Sequence, residues 1–139
     1  MTDPHIKFRS GYKYQLAADY HIATSIKPPK PIDTDFIDLG VDGNLTVKSG
    51  YAWDGTSGPV VDTDRNLRAS LVHDALYQLM RQRELKQRAF KNKADRLFQK
   101  LCKEDGVPSS VALVYYQALK KLGKPAADPK HAKKVKTAP

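Results

Sequence analysis

Cysteine is almost missing from this 139-residue chain: Cys102 stands alone. That excludes an internal disulfide and leaves packing to hold the fold, as in a reducing compartment. Long apolar runs are also missing, and none approaches the roughly 18 residues needed to cross a bilayer. The start, Met1-Thr2-Asp3-Pro4-His5-Ile6-Lys7, lacks the basic-then-apolar pattern of a secretory signal, so the expectation is a soluble cytoplasmic product. The length has room for one domain with a modest core and none for a second catalytic domain. Acidic residues are scarce beside basic ones, 15 against 24, for a formal charge of +9.

That charge is uneven. Residues 124–139 hold five lysines against one aspartate, with three prolines and few large apolar side chains, which predicts a flexible basic tail. Two readings of the tail stay open. It attracts an anionic membrane surface or nucleic acid, or it is a solubilising terminus without the interleaved aromatics of a single-strand binder.

The patterning changes near the middle. Tyr12, Tyr14 and Leu16 alternate with polar residues, and Phe36-Ile37-Asp38-Leu39-Gly40-Val41 leads through Asp42-Gly43 to Leu45-Thr46-Val47, which predicts a hairpin. A proline-rich loop covers 27–31, and 49–59 is expected to have no regular structure. Helical spacing follows. Leu67, Leu71, Ala75, Leu76 and Leu79 predict a helix over about 65–81, capped by Asp62, Thr63 or Asp64. Ala94, Leu97, Phe98 and Leu101 predict a second helix from Phe90 or Asn92 to Gly106. Val111, Val114, Tyr115, Ala118 and Leu122 predict a third, from Pro108-Ser109 to Gly123. The expected fold class is α+β: a small N-terminal antiparallel sheet or hairpins, then three packed helices. One domain spans 1–123, with a β-rich part over 1–50, a metal loop over 51–64 and a helical core over 65–123.

The chemistry concentrates in His73-Asp74-Ala75-Leu76-Tyr77. On a helix His73 and Tyr77 share a face, while Asp74 points about 100° round the axis. Asp95 on the next helix falls where it can meet that face. A partly buried carboxylate on the imidazole would fix its tautomer and stabilise the imidazolium. Tyr77 or Tyr115 could donate a second hydrogen bond to Asp95. Asp74 and Asp54 are hard oxygen ligands, and a carbonyl of the Asp54-Gly55 turn could complete a calcium site with water. Such an ion would stabilise the oxyanion formed when water, deprotonated by His73, attacks an ester. Cys102 reads as a small core residue.

The pattern H-D-x-x-Y, a carboxylate about twenty residues later, and Tyr115-Tyr116-Gln117-Ala118 followed by Leu122-Gly123 together resemble the prokaryotic-type phospholipases A2. The likeness covers roughly 53–123. It implies a phospholipase A2-like helical core, a catalytic dyad of His73 and Asp95, and calcium held by Asp74, Asp54 and the Gly55 carbonyl. It further implies a lipid or other ester substrate. The whole chain, with Tyr51-Ala52-Trp53-Asp54-Gly55-Thr56-Ser57-Gly58-Pro59, is also similar to a family of phage and prophage proteins of unassigned function. That likeness implies a viral or prophage origin; with no signal or spanning segment read in the sequence, the expected location is the host cytoplasm, with virion association left open.

Three function classes follow: a calcium-dependent hydrolase of a phospholipid or related ester, a metal-dependent phosphohydrolase using His21, His73, Asp74 and Asp95, and a non-enzymatic structural or host-interaction protein on a hydrolase scaffold. The phosphohydrolase is disfavoured because His21 falls in a β segment. Tyr51 and Trp53 read either as core-edge residues or as a membrane-facing pair. Arg65, Arg68 and Arg81 read either as headgroup ligands or as a solvated helix face.

Overall fold

A computed structural model describes residues 2–9, 14–55 and 62–127. The described chain has antiparallel strands followed by three helices, the α+β arrangement expected. It divides into two compact units, one running through Asp54 and the other beginning at Gly55. Expectations resting on Tyr12, on residues 56–59 of the loop and on residues 128–139 of the tail lie outside the described residues.

In the first unit, β1 (Phe8–Arg9), β2 (Tyr14–Leu16) and β7 (Ala52–Trp53) form one sheet in the order β1-β2-β7. A second sheet, ordered β3-β6-β5-β4, is built from β3 (Tyr20–Ala23), β4 (Ile32–Asp33), β5 (Ile37–Leu39) and β6 (Asn44–Val47). Period-two alternation sorts its side chains. Ile22, Leu45, Leu39 and Ile32 lie in register across four strands and are buried, while His21, Thr46, Asp38 and Asp33 make the opposite row. Lys48 bridges the end of that polar row, 3.2 Å from Asp38 and 3.7 Å from Asp33.

The β5–β6 hairpin turns where Asp42-Gly43 predicts. Gly43 N–H donates to the Gly40 carbonyl at 3.0 Å, and Gly43 adopts φ +88. A side chain at Gly43 would run into the Thr24 carbonyl oxygen, so the turn excludes other residues on two counts. The expected absence of regular structure over 49–59 needs correction: Ala52 and Trp53 pair with Gln15 and Tyr14 as β7. Trp53 packs against Tyr14 with the rings tilted and their centroids 5.4 Å apart, and cross-strand aromatic packing outweighs the loop signal of the flanking glycines. Tyr51 and Trp53 are fully buried, so the core-edge reading describes them.

In the second unit, α1 (Leu67–Arg81), α2 (Gln87–Glu104) and α3 (Ser109–Ala127) pack pairwise against one another. Leu67, Leu71, Ala75, Leu76 and Leu79 are all buried on α1. Its N-cap is Asn66 rather than Asp62, Thr63 or Asp64, and Asn66 Oδ1 accepts from Thr63 N–H at 2.9 Å to shape the preceding turn. Helix α2 starts a few residues earlier than expected, and its buried stripe is Ala94, Asp95, Phe98, Leu101 and Cys102, with Leu97 half-buried.

Two corrections fall on α3. Among the α3 side chains described, Ala112, Tyr116 and Leu119 are buried, whereas Val111 and Val114 are exposed and Tyr115 and Ala118 half-buried; the expected burial of Leu122 lies outside the described side chains. Apolar residues lie on two adjacent faces of this helix, so hydrophobicity alone does not fix its rotation. The helix also runs through Gly123 and Pro125 to Ala127. A glycine costs a helix only about 1 kcal/mol, and Pro125, which would cost about 3 kcal/mol in a helix interior, stands in the last turn, two residues before the end.

Arg68 departs from both readings offered for it. Only 5% exposed, it forks onto Asp105 (Nε to Oδ2 at 2.9 Å, Nη2 to Oδ1 at 3.0 Å) and reaches Glu104 at 3.0 Å, clamping the start of α1 to the end of α2. It is a structural cation.

Candidate functional site

Helical spacing on α1 stacks His73 and Tyr77, whose ring centroids lie 4.0 Å apart. Across the α1–α2 contact, Asp95 turns its carboxylate onto both. Its Oδ1 accepts from His73 Nε2 at 2.7 Å and from the Tyr77 hydroxyl at 2.6 Å. Its Oδ2 accepts from Lys91 Nζ at 2.7 Å. Lys91 lies one helical turn before Asp95 on α2 and also donates to the Leu119 carbonyl of α3 at 3.3 Å. Phe98 meets the imidazole edge-on at 5.4 Å, and its ring lies 6.3 Å from that of Tyr115.

Asp95 has no exposed surface. Burial by itself pushes its carboxyl upward, but hydrogen bonds from His73, Lys91 and Tyr77, with the charge interaction with His73, outweigh it and hold the group below its ordinary value. The carboxylate is therefore ionised and only accepts. It follows that His73 Nε2 carries a hydrogen and donates it to Asp95. Among the described residues Nδ1 has no hydrogen-bond partner. Burial, reinforced by Asp95, raises the Tyr77 phenol above its ordinary value, so it stays a neutral donor. A ring held through Nε2 by a buried acceptor, with Nδ1 left without a partner among the described residues, is an arrangement suited to a general base.

The sequence-predicted residues fare differently. His73, Asp95 and Tyr77 are brought together. Tyr115 is not a donor to Asp95; α3 is rotated from its expected phase, and Lys91 takes the position assigned to it. Lys91 was legible only as a cation four residues before Asp95, a spacing common on solvated helices. Asp74 is half-buried on α1 beside His73, and Asp54 is exposed after β7. Gly55 sits at φ +86 with the Asp62 carboxylate packed where a Cβ would stand. Among the described residues no group of three or more His, Cys, Asp and Glu side chains gathers as a metal would need. His21 bonds through Nδ1 to Thr46 Oγ1 at 3.0 Å across β3 and β6. Cys102 is a buried free thiol, pushed up to about 12 by burial and Asp105, as suits a core residue.

Fold and site together define an α+β protein whose helical unit is built around a buried His–Asp–Tyr–Lys network. Residues 32–119 match the model of a family described as Protein of unknown function (DUF1353), and the chain belongs to that family. The matched span contains the β5–β6 hairpin and every member of the network. The comparisons with curated proteins and with solved structures found no match. No helix among the described residues is long and apolar enough to cross a membrane.

Proposed function

We propose that the protein is a hydrolase of a phospholipid or related carboxylic ester, with His73 as general base and Asp95 as its orienting partner. The observation that carries this reading is the buried Asp95 carboxylate 2.7 Å from His73 Nε2, which leaves Nδ1 as the ring nitrogen that can face water. In the proposed reaction Nδ1 takes a proton from water as the oxygen attacks the ester carbonyl, then returns it to the departing alkoxide. Asp95 stabilises the imidazolium between these steps, and Tyr77 and Lys91 keep the carboxylate ionised and oriented.

Calcium belongs to this proposal. The residues assigned to it, Asp74, Asp54 and the Gly55 carbonyl, offer only hard oxygen donors, which suits calcium over zinc or copper. When bound, the ion supplies charge that stabilises an oxyanion.

The test is hydrolysis of phosphatidylcholine vesicles and of a soluble aryl ester by the wild type, His73→Asn and Asp74→Asn, with and without a calcium chelator. General-base loss should cost about 10²–10⁴ in rate, and chelation should match Asp74→Asn. Wild-type hydrolysis no faster than that of His73→Asn removes the enzyme reading. A second reading, a non-enzymatic phage structural or host-interaction protein, is favoured by the way Asp95 ties three helices through His73, Tyr77 and Lys91. On that reading substitution lowers stability and no turnover exists to lose.

A further inference from the structure

Between α2 and α3 lies a cleft of about 680 Å³ lined by Gln87, Arg88, Lys91, Asn92, Arg96, Tyr116 and Lys120. Four of its seven lining residues are cations and none is acidic. Lys91 is matched by Asp95. Arg88, Arg96 and Lys120 have no carboxylate partner among the described residues. Three uncompensated positive charges around one concavity repel one another and draw a multiply charged anion.

The remaining contacts shape the cleft. Arg96 lies over the Tyr116 ring, 3.8 Å from its centroid, and donates to Gln99 at 3.1 Å. The ring face is thus occupied, and the guanidinium is held in place. The Tyr116 hydroxyl donates to Asn92 Oδ1 at 2.5 Å, which leaves the Asn92 amide nitrogen as a donor. Two guanidinium forks, two ammonium groups and an amide N–H₂ match the oxygens of a tetrahedral dianion, whereas one carboxylate would offset a single charge.

We propose that this cleft binds a phosphomonoester or pyrophosphate group among Arg88, Lys91, Arg96 and Lys120. The site stands independently of the hydrolase reading. It has a consequence for the dyad, because Lys91 Nζ is the group that both lines the cleft and holds Asp95 Oδ2. An anion that engages Lys91 weakens that hold, and His73 on Oδ1 senses the change.

Calorimetric titration with sodium pyrophosphate and glycerol 3-phosphate, at ionic strength matched with sodium chloride, tests the site. Saturable one-to-one binding is expected, weakened on the order of a hundredfold in Arg88→Gln/Lys120→Gln. Lys93→Gln/Lys100→Gln removes the same charge from α2 outside the cleft and should leave affinity unchanged. Vesicles with and without phosphatidic acid distinguish a lipid phosphate from a soluble one. Binding to either source supports the site if the cleft variant loses it and the control keeps it. Equal loss in both variants, or binding confined to oligonucleotides, overturns it. The His73 ring resonances should move on saturation in the wild type and not in Lys91→Met. Unmoved wild-type resonances overturn the coupling.

Discussion

Each donor to Asp95 contributes differently, and single substitutions separate them. Tyr77→Phe deletes one hydrogen bond to a charged, fully buried acceptor and should lower unfolding free energy by about 1.5–3 kcal/mol, read from urea midpoints. Asp95→Asn should cost more, about 3–5 kcal/mol, because it removes the anion that matches the largely buried Lys91 ammonium. If Tyr77→Phe proves the costlier, the carboxylate is not the centre of the network. Cys102 offers a contrast: buried, with its thiol raised to about 12, it should resist a thiol reagent at pH 8 until denaturant is added. Rapid native labelling would contradict its core placement.

The helix ends show how local geometry sets the contacts. Both α1 and α2 close with the paired bonds of a Schellman motif: Glu84 N–H to the Leu79 carbonyl and Arg83 to Met80, then Val107 to Cys102 and Gly106 to Lys103. Gly106 takes the left-handed position at φ +104, but at the α1 end Arg83 takes it at φ 63. Left-handed backbone costs a residue with a Cβ about 1–2 kcal/mol, so Arg83→Gly should stabilise the protein by up to about 1 kcal/mol after the entropic cost of glycine. A lowered midpoint would show that the Arg83 side chain matters more than its backbone. The ends of α1 at Arg81 and of α2 beside Gly106 were legible in the sequence, while the start of α2 at Gln87 was placed a few residues late. His73, Tyr77 and Asp95 were legible because i, i+4 spacing and one opposed carboxylate suffice to predict their meeting. The rotation of α3 was not, since two apolar faces compete. With it went the exchange of Tyr115 for Lys91, and Arg68 escaped because a buried cation reads like an exposed one until its carboxylate partners are placed.

Across the whole molecule, pH acts through the same buried groups from both sides. Asp95 is held below its ordinary value, so as pH falls the unfolded chain takes up a proton before the folded one. Its contribution is complete above about pH 5 and drains as pH drops through the depressed value. Tyr77 and Cys102 are raised. Above about pH 9 the unfolded chain releases protons that the folded chain keeps, and stability falls as pH rises. Unfolding free energy should thus show a plateau near neutrality with a loss at each end. Asp95→Asn should flatten the acid limb, and Tyr77→Phe should soften the alkaline one. The link from Lys91 to the Leu119 carbonyl carries a further consequence for folding. Because α1, α2 and α3 each contribute to one cluster, an intermediate with a single helix undocked lacks the complete set of partners around Asp95. The three helices should therefore open as one cooperative unit, their slowest amide protons exchanging with a common free energy, and the His73 resonance becomes a built-in reporter of complete assembly.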